Sequence, residues 1–371
     1  MKRSDSLDGL RGVAILLVVA GHSWLAYGDD KSGLARLAPC LFNAALGVRL
    51  FFVLSGYLIT TLLLEERRST DSISLPKFYA RRALRIFPAF YLFFGCILVL
   101  LSAGFIVVPK SQLLAAATYT YNYLIIWPGS AGSAQNWFLG HLWTLSLEEQ
   151  FYLFWPATLL LLGNRRSLAA ALSIVVLTPF VRVGSYFLFP GVRGSLDIML
   201  HTAVDSIMVG CVLALVLHKG LPPSMATRVK SKVALPGALV FLFLISPLLT
   251  HRFKGMYLAT LGYTLDAMGV ALVILHVSVV APDKSLARAL SCPPLVFIGR
   301  LSYSWYLWQQ LFLTRLNHTW SGSFPVSMVC SFGAAVASHY LLERPFLRLK
   351  RRFQPQASQH ASPQPAAESV Q

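Results

Sequence analysis

A histidine and an arginine in the first apolar segment have the spacing for acid–base chemistry. Arg11 and His22 lie eleven residues apart. Eleven residues make almost three whole turns of an α-helix, so both side chains project from one face, about 16 Å apart along the axis. A neutral imidazole can accept a proton near neutral pH, as a general base must. The alternative is a histidine that only hydrogen-bonds to a neighbouring helix.

A run of arginines precedes the third apolar segment. Arg81 and Arg85 are one helical turn apart, with Arg82 beside them. Guanidinium groups at this spacing can bind the phosphates of a nucleotide-like donor, because their N–H groups match phosphate oxygens. The same residues would also serve as a positively charged anchor at the head of a membrane helix.

Two adjacent carboxylates stand at the mouth of another apolar segment. Glu148 and Glu149 follow Ser146 and His141. Adjacent residues of a helix point about 100° apart, so only one of the two glutamates can easily face a shared cavity. If Ser146 caps this helix, the cluster is instead a capping turn.

Two pairs of opposite charges occur at matching depths inside apolar segments. One is Arg182 with Asp205, and the other is Arg49 with Asp266. An unpaired charge at mid-membrane costs roughly 2.5–3.5 kcal/mol, so we expect each arginine to pair with its aspartate. The remaining intramembrane histidines have no charged residue at a comparable spacing and are interpreted as packing residues: His201, His276 and His339.

Membrane helices must position these side chains, because the chain is too apolar for a soluble protein. Of its 371 residues, 56% are hydrophobic and 13% are charged, whereas soluble domains have roughly 25% charged residues. The apolar residues form blocks close to the length of about 20 residues that crosses a bilayer. The blocks are 10–28, 40–64, 86–108, 112–127, 147–163, 168–189, 198–218, 233–250, 257–280, 295–316 and 324–342.

The cations in the loops between these blocks indicate how many of the blocks cross the membrane. Block 112–127 is short and carries a polar and aromatic run, 118–123, that is typical of the membrane interface. Without it, the pattern predicts an all-α bundle of about ten transmembrane helices with both termini cytoplasmic, since most loop cations then lie on one side. This arrangement also explains the net charge of +17 without nucleic-acid binding.

The chain is predicted to have one domain and a tail. Residues 1–353 form the transmembrane domain, and 354–371 are rich in Pro, Gln, Ala and Ser and are predicted to be a disordered cytoplasmic tail. The five cysteines have no C-x-x-C or metal-ligand spacing, so no metal site is expected.

These segments, in order, resemble the membrane-bound acyltransferase-3 family. The matching segments are 7–12 followed by His22, then 47–59, 81–88, 146–152, 298–308 and 343–345. The resemblance implies a multi-pass inner-membrane enzyme that transfers an acyl group, most often acetyl, from acyl-CoA to a hydroxyl of a carbohydrate or lipid-linked glycan. It implies no cofactor beyond acyl-CoA as co-substrate. The position of Arg49 is often acidic in this family, so this arginine either alters acceptor preference or pairs differently.

The resemblance also implies roles for the residues above. The CoA phosphates would bind Arg81, Arg82 and Arg85, and Arg11 would steer the thioester arm. His22 would take the acceptor's hydroxyl proton, while Glu148 or Glu149 orients His22 or the acceptor. Structural or acceptor-side candidates are Arg49, Ser55, Tyr303 and Glu343.

Two other classes of membrane protein are alternatives. Intramembrane charges also mark the substrate pathways of secondary transporters. Such transporters often have two related halves, and no such duplication is evident in this sequence. A glycosyltransferase that uses a lipid-linked sugar usually needs acidic groups or a metal at the membrane face, whereas the predicted cytoplasmic loops are basic.

Overall fold

The structure of the chain is a computed structural model that describes residues 4–28, 42–126, 137–282, 284–317, 319–349 and 353. All regular secondary structure in these ranges is helical, as predicted. We number the α-helices longer than one turn, and we name the 3₁₀ segments and the single-turn helices by their residues. The numbered helices are α1 (Asp5–Tyr27), α2 (Ala44–Thr70), α3 (Leu75–Ser102), α4 (Lys110–Ala117), α5 (Leu142–Leu188), α6 (Asp205–Lys219), α7 (Pro223–Lys230), α8 (Ala234–Phe253), α9 (Gly255–Val280), α10 (Ser285–Leu290), α11 (Pro293–Phe312) and α12 (Val326–Leu349). The shorter helical segments are Tyr121–Ile126, Trp137–Gly140, Pro190–Ser195, Leu200–Ala203 and Trp320–Gly322.

Seven helical stretches in the described part of the chain are long and apolar enough to cross a membrane. They are α1, α2, α3, α8, α9, α12 and the stretch Trp137–Leu188 that contains α5. An eighth results if α6 and α7, which are bent by 116°, count as one span. The protein is therefore a multi-pass helical membrane protein, while the count of ten and the side of the termini stay predictions.

Helix α5 changes direction sharply at Gly163. This residue has φ 70° and ψ 175°, a conformation that favours glycine because it has no Cβ. The hydroxyl of Ser167 lies 3.4 Å from the carbonyl of Thr158, although nine residues of straight helix would separate them by about 13 Å. The chain thus turns back here, in agreement with the separate apolar blocks 147–163 and 168–189.

Block 112–127 contains no continuous transmembrane helix in its described residues. Helix α4 has 8 residues, which is about 12 Å of helix against a core of roughly 30 Å. It is followed by the 3₁₀ segment Tyr121–Ile126. Tyr121 and Leu124 belong to the same buried apolar cluster as Phe90 and Phe93 of α3, so this block lies against the bundle, as the interpretation of it as a non-spanning piece requires.

Close packing of glycines holds the central helices together. A Cβ on Gly299 of α11 would overlap the carbonyl of Asp8 on α1, and one on Gly210 of α6 would overlap the carbonyl of Val53 on α2. Small residues allow membrane helices to approach this closely and gain van der Waals contact. Helices α1 and α11 are therefore a close pair, and they carry much of the candidate site.

Both predicted intramembrane ion pairs are confirmed. Arg182 Nη2 lies 2.6 Å from Asp205 Oδ2, and both side chains are fully buried. Arg49 Nε lies 3.5 Å from Asp266 Oδ2. The ring of Tyr263 joins the two pairs, since the Cζ atoms of Arg49 and Arg182 lie 3.9 and 4.9 Å from its centroid. The predicted tail, 354–371, lies outside the described residues.

Candidate functional site

A cavity of about 410 Å³ lies between α1, α2, α3, α5 and α11, toward the end of the bundle where α1 and α3 begin. Pockets of this size hold small organic molecules. Helix α2 supplies apolar walls that include Phe51, Phe52 and Leu58. The charged lining residues are Asp8, Arg11, Arg82, Arg85 and Glu148, and the hydroxyl-bearing ones are Ser4, Ser55, Thr144, Tyr152, Ser302, Tyr303 and Tyr306.

Three arginines line this cavity, and they are not the three-residue run that the sequence predicted. Arg82 and Arg85 come from the start of α3 and Arg11 from α1. Arg81 is outside the lining: its Nη2 lies 2.6 Å from Glu66 Oε2, and its Nη1 donates to the carbonyl of Phe353 (2.9 Å). Arg81 is therefore separate from the cavity arginines in this structure, because its guanidinium pairs with Glu66, and its role in donor binding stays a prediction.

Only one of the two adjacent glutamates faces the cavity, as the helical geometry predicted. Glu148 is part of the lining, whereas Glu149 is not. Tyr152, one turn further along α5, donates its hydroxyl to Glu148 Oε2 (3.2 Å), and the same hydroxyl lies 2.5 Å from Ser55 Oγ. Arg82 lies near this group, with its Cζ 5.3 Å from the centroid of the Tyr152 ring.

The imidazole of His22 lies beyond the inner end of the cavity and does not line it. Its Nδ1 is 2.9 Å from Gln309 Oε1, and its Nε2 is 3.5 Å from Gln310 Nε2. The edge of its ring meets Trp137, with centroids 5.8 Å apart. Arg11 and His22 thus occupy successive levels of α1, and only Arg11 contacts the cavity.

A thin polar layer separates the cavity from His22. Thr144 Oγ1 donates to Tyr306 Oη (2.7 Å), and Tyr306 Oη donates to the carbonyl of His141 (2.9 Å). The His141 ring is in turn 2.8 Å from Gln310 Oε1. His141 therefore links two groups of hydrogen bonds, one from its carbonyl to the cavity wall and one from its ring to the glutamine that contacts His22.

The glutamates had two predicted roles, and the structure does not support one of them. In the described part of the chain, the hydrogen bonds of the His22 ring go to glutamines of α11 and not to Glu148 or Glu149. No described contact thus lets a glutamate orient His22 directly, and that role stays a prediction. Contact of Glu148 with an acceptor remains a prediction.

The four structural or acceptor-side candidates divide into two groups. Ser55 and Tyr303 line the cavity, and Tyr303 Oη donates to the carbonyl of Ile86 (2.8 Å). Arg49 pairs with Asp266 and is outside the lining. Glu343 accepts a hydrogen bond from Ser304 and lies 3.2 Å from His339 Nδ1. For Arg49 and Glu343, the contacts are those of structural residues.

Sequence reasoning missed several residues of this region. Asp8, Tyr152 and Tyr306 lie in segments that carry the family resemblance, and the two adjacent glutamines of α11 are polar side chains inside an apolar block. The missed residues are Asp8, His141, Thr144, Tyr152, Tyr306, Gln309 and Gln310. The described residues contain no group of three or more His, Cys, Asp or Glu side chains placed to bind a metal ion.

Comparison with known proteins gives the family. Residues 4–344 match the family model described as an acyltransferase domain. A Staphylococcus aureus (strain MSSA476) protein named "Putative O-acetyltransferase" is 31% identical over 373 aligned residues, which cover 93% of this chain and 58% of that protein. The O-acetyltransferase OatA of S. aureus (strain NCTC 8325 / PS 47) is 29% identical over 336 residues, which cover 86% of this chain and 52% of OatA.

This chain therefore spans just over half the length of those relatives. No solved structure matches it. The family model includes every cavity residue named above, from Ser4 to Tyr306. These matches confirm the resemblance in the sequence, and the chain belongs to the acyltransferase-3 family of membrane proteins.

Proposed function

We propose that this protein is a membrane O-acyltransferase that moves an acyl group, most simply acetyl, from acyl-CoA to a hydroxyl of a carbohydrate or glycan-like acceptor. The observation that carries the proposal is the convergence of Arg11, Arg82 and Arg85 on one half-apolar cavity. The names of the relatives, which are O-acetyltransferases, support the reaction class.

The cavity has the chemistry that an acyl-CoA donor requires. CoA carries several phosphate charges, and guanidinium groups bind phosphate through paired N–H donors. Its pantetheine arm and acyl group are much less polar and fit against the aromatic wall formed by Phe51 and Phe52. If the end of the bundle that holds Arg82 and Arg85 faces the cytosol, as the distribution of cations predicts, the donor enters from the compartment that contains it.

His22 is the proposed general base. As the acceptor oxygen attacks the thioester carbonyl, a C–O bond forms and the hydroxyl proton moves to the imidazole. The C–S bond then breaks, and the leaving CoA thiolate takes that proton from the imidazolium. The hydroxyl of Tyr306, at the inner end of the cavity, donates to the carbonyl of His141 in this structure, and it can serve the developing oxyanion only by exchanging that hydrogen bond.

The position of His22 sets a condition on this mechanism. Tyr306 and Thr144 stand between the cavity and the histidine. The acyl arm must therefore displace this layer, with the acceptor approaching His22 from the other side. The transporter alternative is not favoured, because the relatives are named for acetyl transfer.

The decisive experiment measures acetyl transfer from radiolabelled acetyl-CoA to the acceptors of native membranes. We expect His22→Ala to abolish transfer, since general bases contribute roughly 10²–10⁴-fold, and to leave both membrane insertion and acetyl-CoA binding by purified protein intact. Retention of more than a few per cent of the activity would remove His22 from its role. Failure of the wild-type protein to bind acetyl-CoA would contradict the proposed donor.

A further inference from the structure

Two adjacent glutamines near the end of α11 contact the two nitrogens of one imidazole. Gln309 and Gln310 are both buried in a helix that is otherwise mainly apolar. A buried amide group without a hydrogen-bond partner costs a few kcal/mol, and Nε2 of Gln309 has no such partner among the described residues. Gln309 lies at Nδ1 of His22 and Gln310 lies toward Nε2. This arrangement determines which nitrogen of the ring carries the proton.

The backbone N–H of His141 can only donate a hydrogen bond. It lies 3.2 Å from the side-chain oxygen of Gln310. That oxygen is also 2.8 Å from His141 Nδ1. Two contacts with His141 therefore orient the amide of Gln310, with its oxygen toward His141 and its NH₂ group toward His22.

The NH₂ group of Gln310 determines which nitrogen of the His22 ring carries the proton. An amide NH₂ group can only donate, so the ring nitrogen that it faces, Nε2 at 3.5 Å, must present its lone pair. In a neutral imidazole the proton is then on Nδ1. Gln309 Oε1, an acceptor, lies 2.9 Å from that nitrogen. The contact of Gln309 is compatible with the tautomer that follows from the contacts of Gln310.

We propose that Gln309 and Gln310 are positioning residues that hold His22 as the Nδ1–H tautomer, so that Nε2 is the nitrogen that accepts the hydroxyl proton. This inference rests on the proposed function of His22. The long contact of Nε2 with Gln310 can be exchanged for a shorter hydrogen bond from an acceptor hydroxyl. The strong bond at Nδ1 remains in place and stabilises the imidazolium that forms, as the orienting partner of a catalytic histidine does.

If the two glutamines only held α11 against α1, the same substitution at either position would have the same effect on activity. The distinguishing variants are Gln309→Glu and Gln310→Glu, which make the same chemical change at adjacent positions. At 309 the new carboxylate still accepts from Nδ1–H. At 310 it replaces the NH₂ donor by an oxygen that is satisfied only when Nε2 carries the proton, and this blocks the base.

The experiment compares kcat and the acetyl-CoA KM of these variants, with acetyl-CoA as donor and native membranes as the acceptor source. We expect Gln309→Glu to keep at least about one third of kcat, and Gln310→Glu and Gln309→Met to lose about 100-fold, within the range that a general base contributes. The donor KM should stay within about twofold, because neither glutamine lines the cavity. The matched control is Gln112→Met, at a buried glutamine that bonds Tyr121 Oη (3.3 Å) in another part of the bundle.

Equal loss from Gln309→Glu and Gln310→Glu would overturn the proposal, as would a parallel rise in donor KM. A second readout is independent of activity: ¹⁵N NMR of histidine-labelled protein, with His22→Ala as the reference, should show the His22 proton on Nδ1. A proton on Nε2 would contradict the assignment. If His22→Ala keeps its activity, the proposed function fails; if it is inactive while the two glutamate variants behave alike, only this inference fails.

Discussion

Arg82 and Arg85 are three residues apart on α3 and share the face that borders the cavity, whereas Arg81 points to Glu66 of α2. Residues three apart are neighbours on a helix surface, so a phosphate at the cavity mouth can contact both guanidinium groups. The pair that the structure selects differs from the pair that helical spacing alone suggested, Arg81 and Arg85. The rotation of α3 about its axis makes the difference.

For this pair of arginines we predict that Arg85→Ala raises the acetyl-CoA KM about tenfold or more and changes kcat by a smaller factor. A hydrogen bond to a charged group contributes about 1.5–3 kcal/mol, and about 1.4 kcal/mol is a tenfold change in binding. Steady-state transfer in membranes measures both constants. The control is Arg68→Ala, which removes an exposed cation on α2 outside the cavity lining and should leave the KM within about twofold. Equal increases in both variants would indicate an effect of general surface charge.

Some residues of the site could be predicted from the sequence and others could not, for a physical reason. Local helical geometry predicted that one of Glu148 and Glu149 faces a cavity, and depth matching predicted the partners of Arg182 and Arg49. The partners of His22 are 287 and 288 residues away in sequence. No local pattern contains such contacts, because they arise only when α1 and α11 pack together.

Among the helices, close contacts at glycines set the distances on which the cavity depends. Helix α2 forms the apolar wall of the cavity on one side and packs against α6 on the other, where Gly56 and Gly210 meet the backbone of the facing helix. Hydropathy predicted that these helices exist, and the turn at Gly163 separates the two predicted blocks within α5. Hydropathy could not predict which helices are neighbours, because glycines occur at similar spacings in many apolar segments.

We therefore predict that Gly210→Ala destabilises the protein by about 1–3 kcal/mol, the usual effect of overpacking a tight contact. The added Cβ would overlap the carbonyl of Val53, which cannot move without shifting α2. Thermal unfolding of the purified protein in detergent measures the change. Gly95→Ala is the matched control, because a Cβ there has no neighbour within 4 Å and alanine is the better helix former. A stability loss of the same size at Gly95 would contradict the packing argument.

For the whole molecule, the question is which compartment the basic end of the cavity faces. Helix α2 ends and α3 begins at this end, and α3, with 28 residues, is about 42 Å long and reaches the opposite side of a core of roughly 30 Å. The distribution of lysine and arginine predicts that the end with Arg82 and Arg85 is cytoplasmic. Acyl-CoA made in the cytosol can be the donor only with this orientation, so topology tests the proposed function as directly as a mutation of the site does.

Single cysteines at two exposed serines decide this orientation. Ser69 is at the end of α2 beside the basic end, and Ser102 is at the far end of α3. In a variant without its native cysteines, we expect a membrane-impermeant maleimide to label Ser102→Cys in spheroplasts and Ser69→Cys only in inverted vesicles, because a charged reagent reaches one face in each preparation. Acetyl transfer by both variants controls for correct folding. The reverse labelling pattern would place Arg82 and Arg85 on the outer face, and a cytosolic CoA thioester could then no longer reach the cavity from its open end.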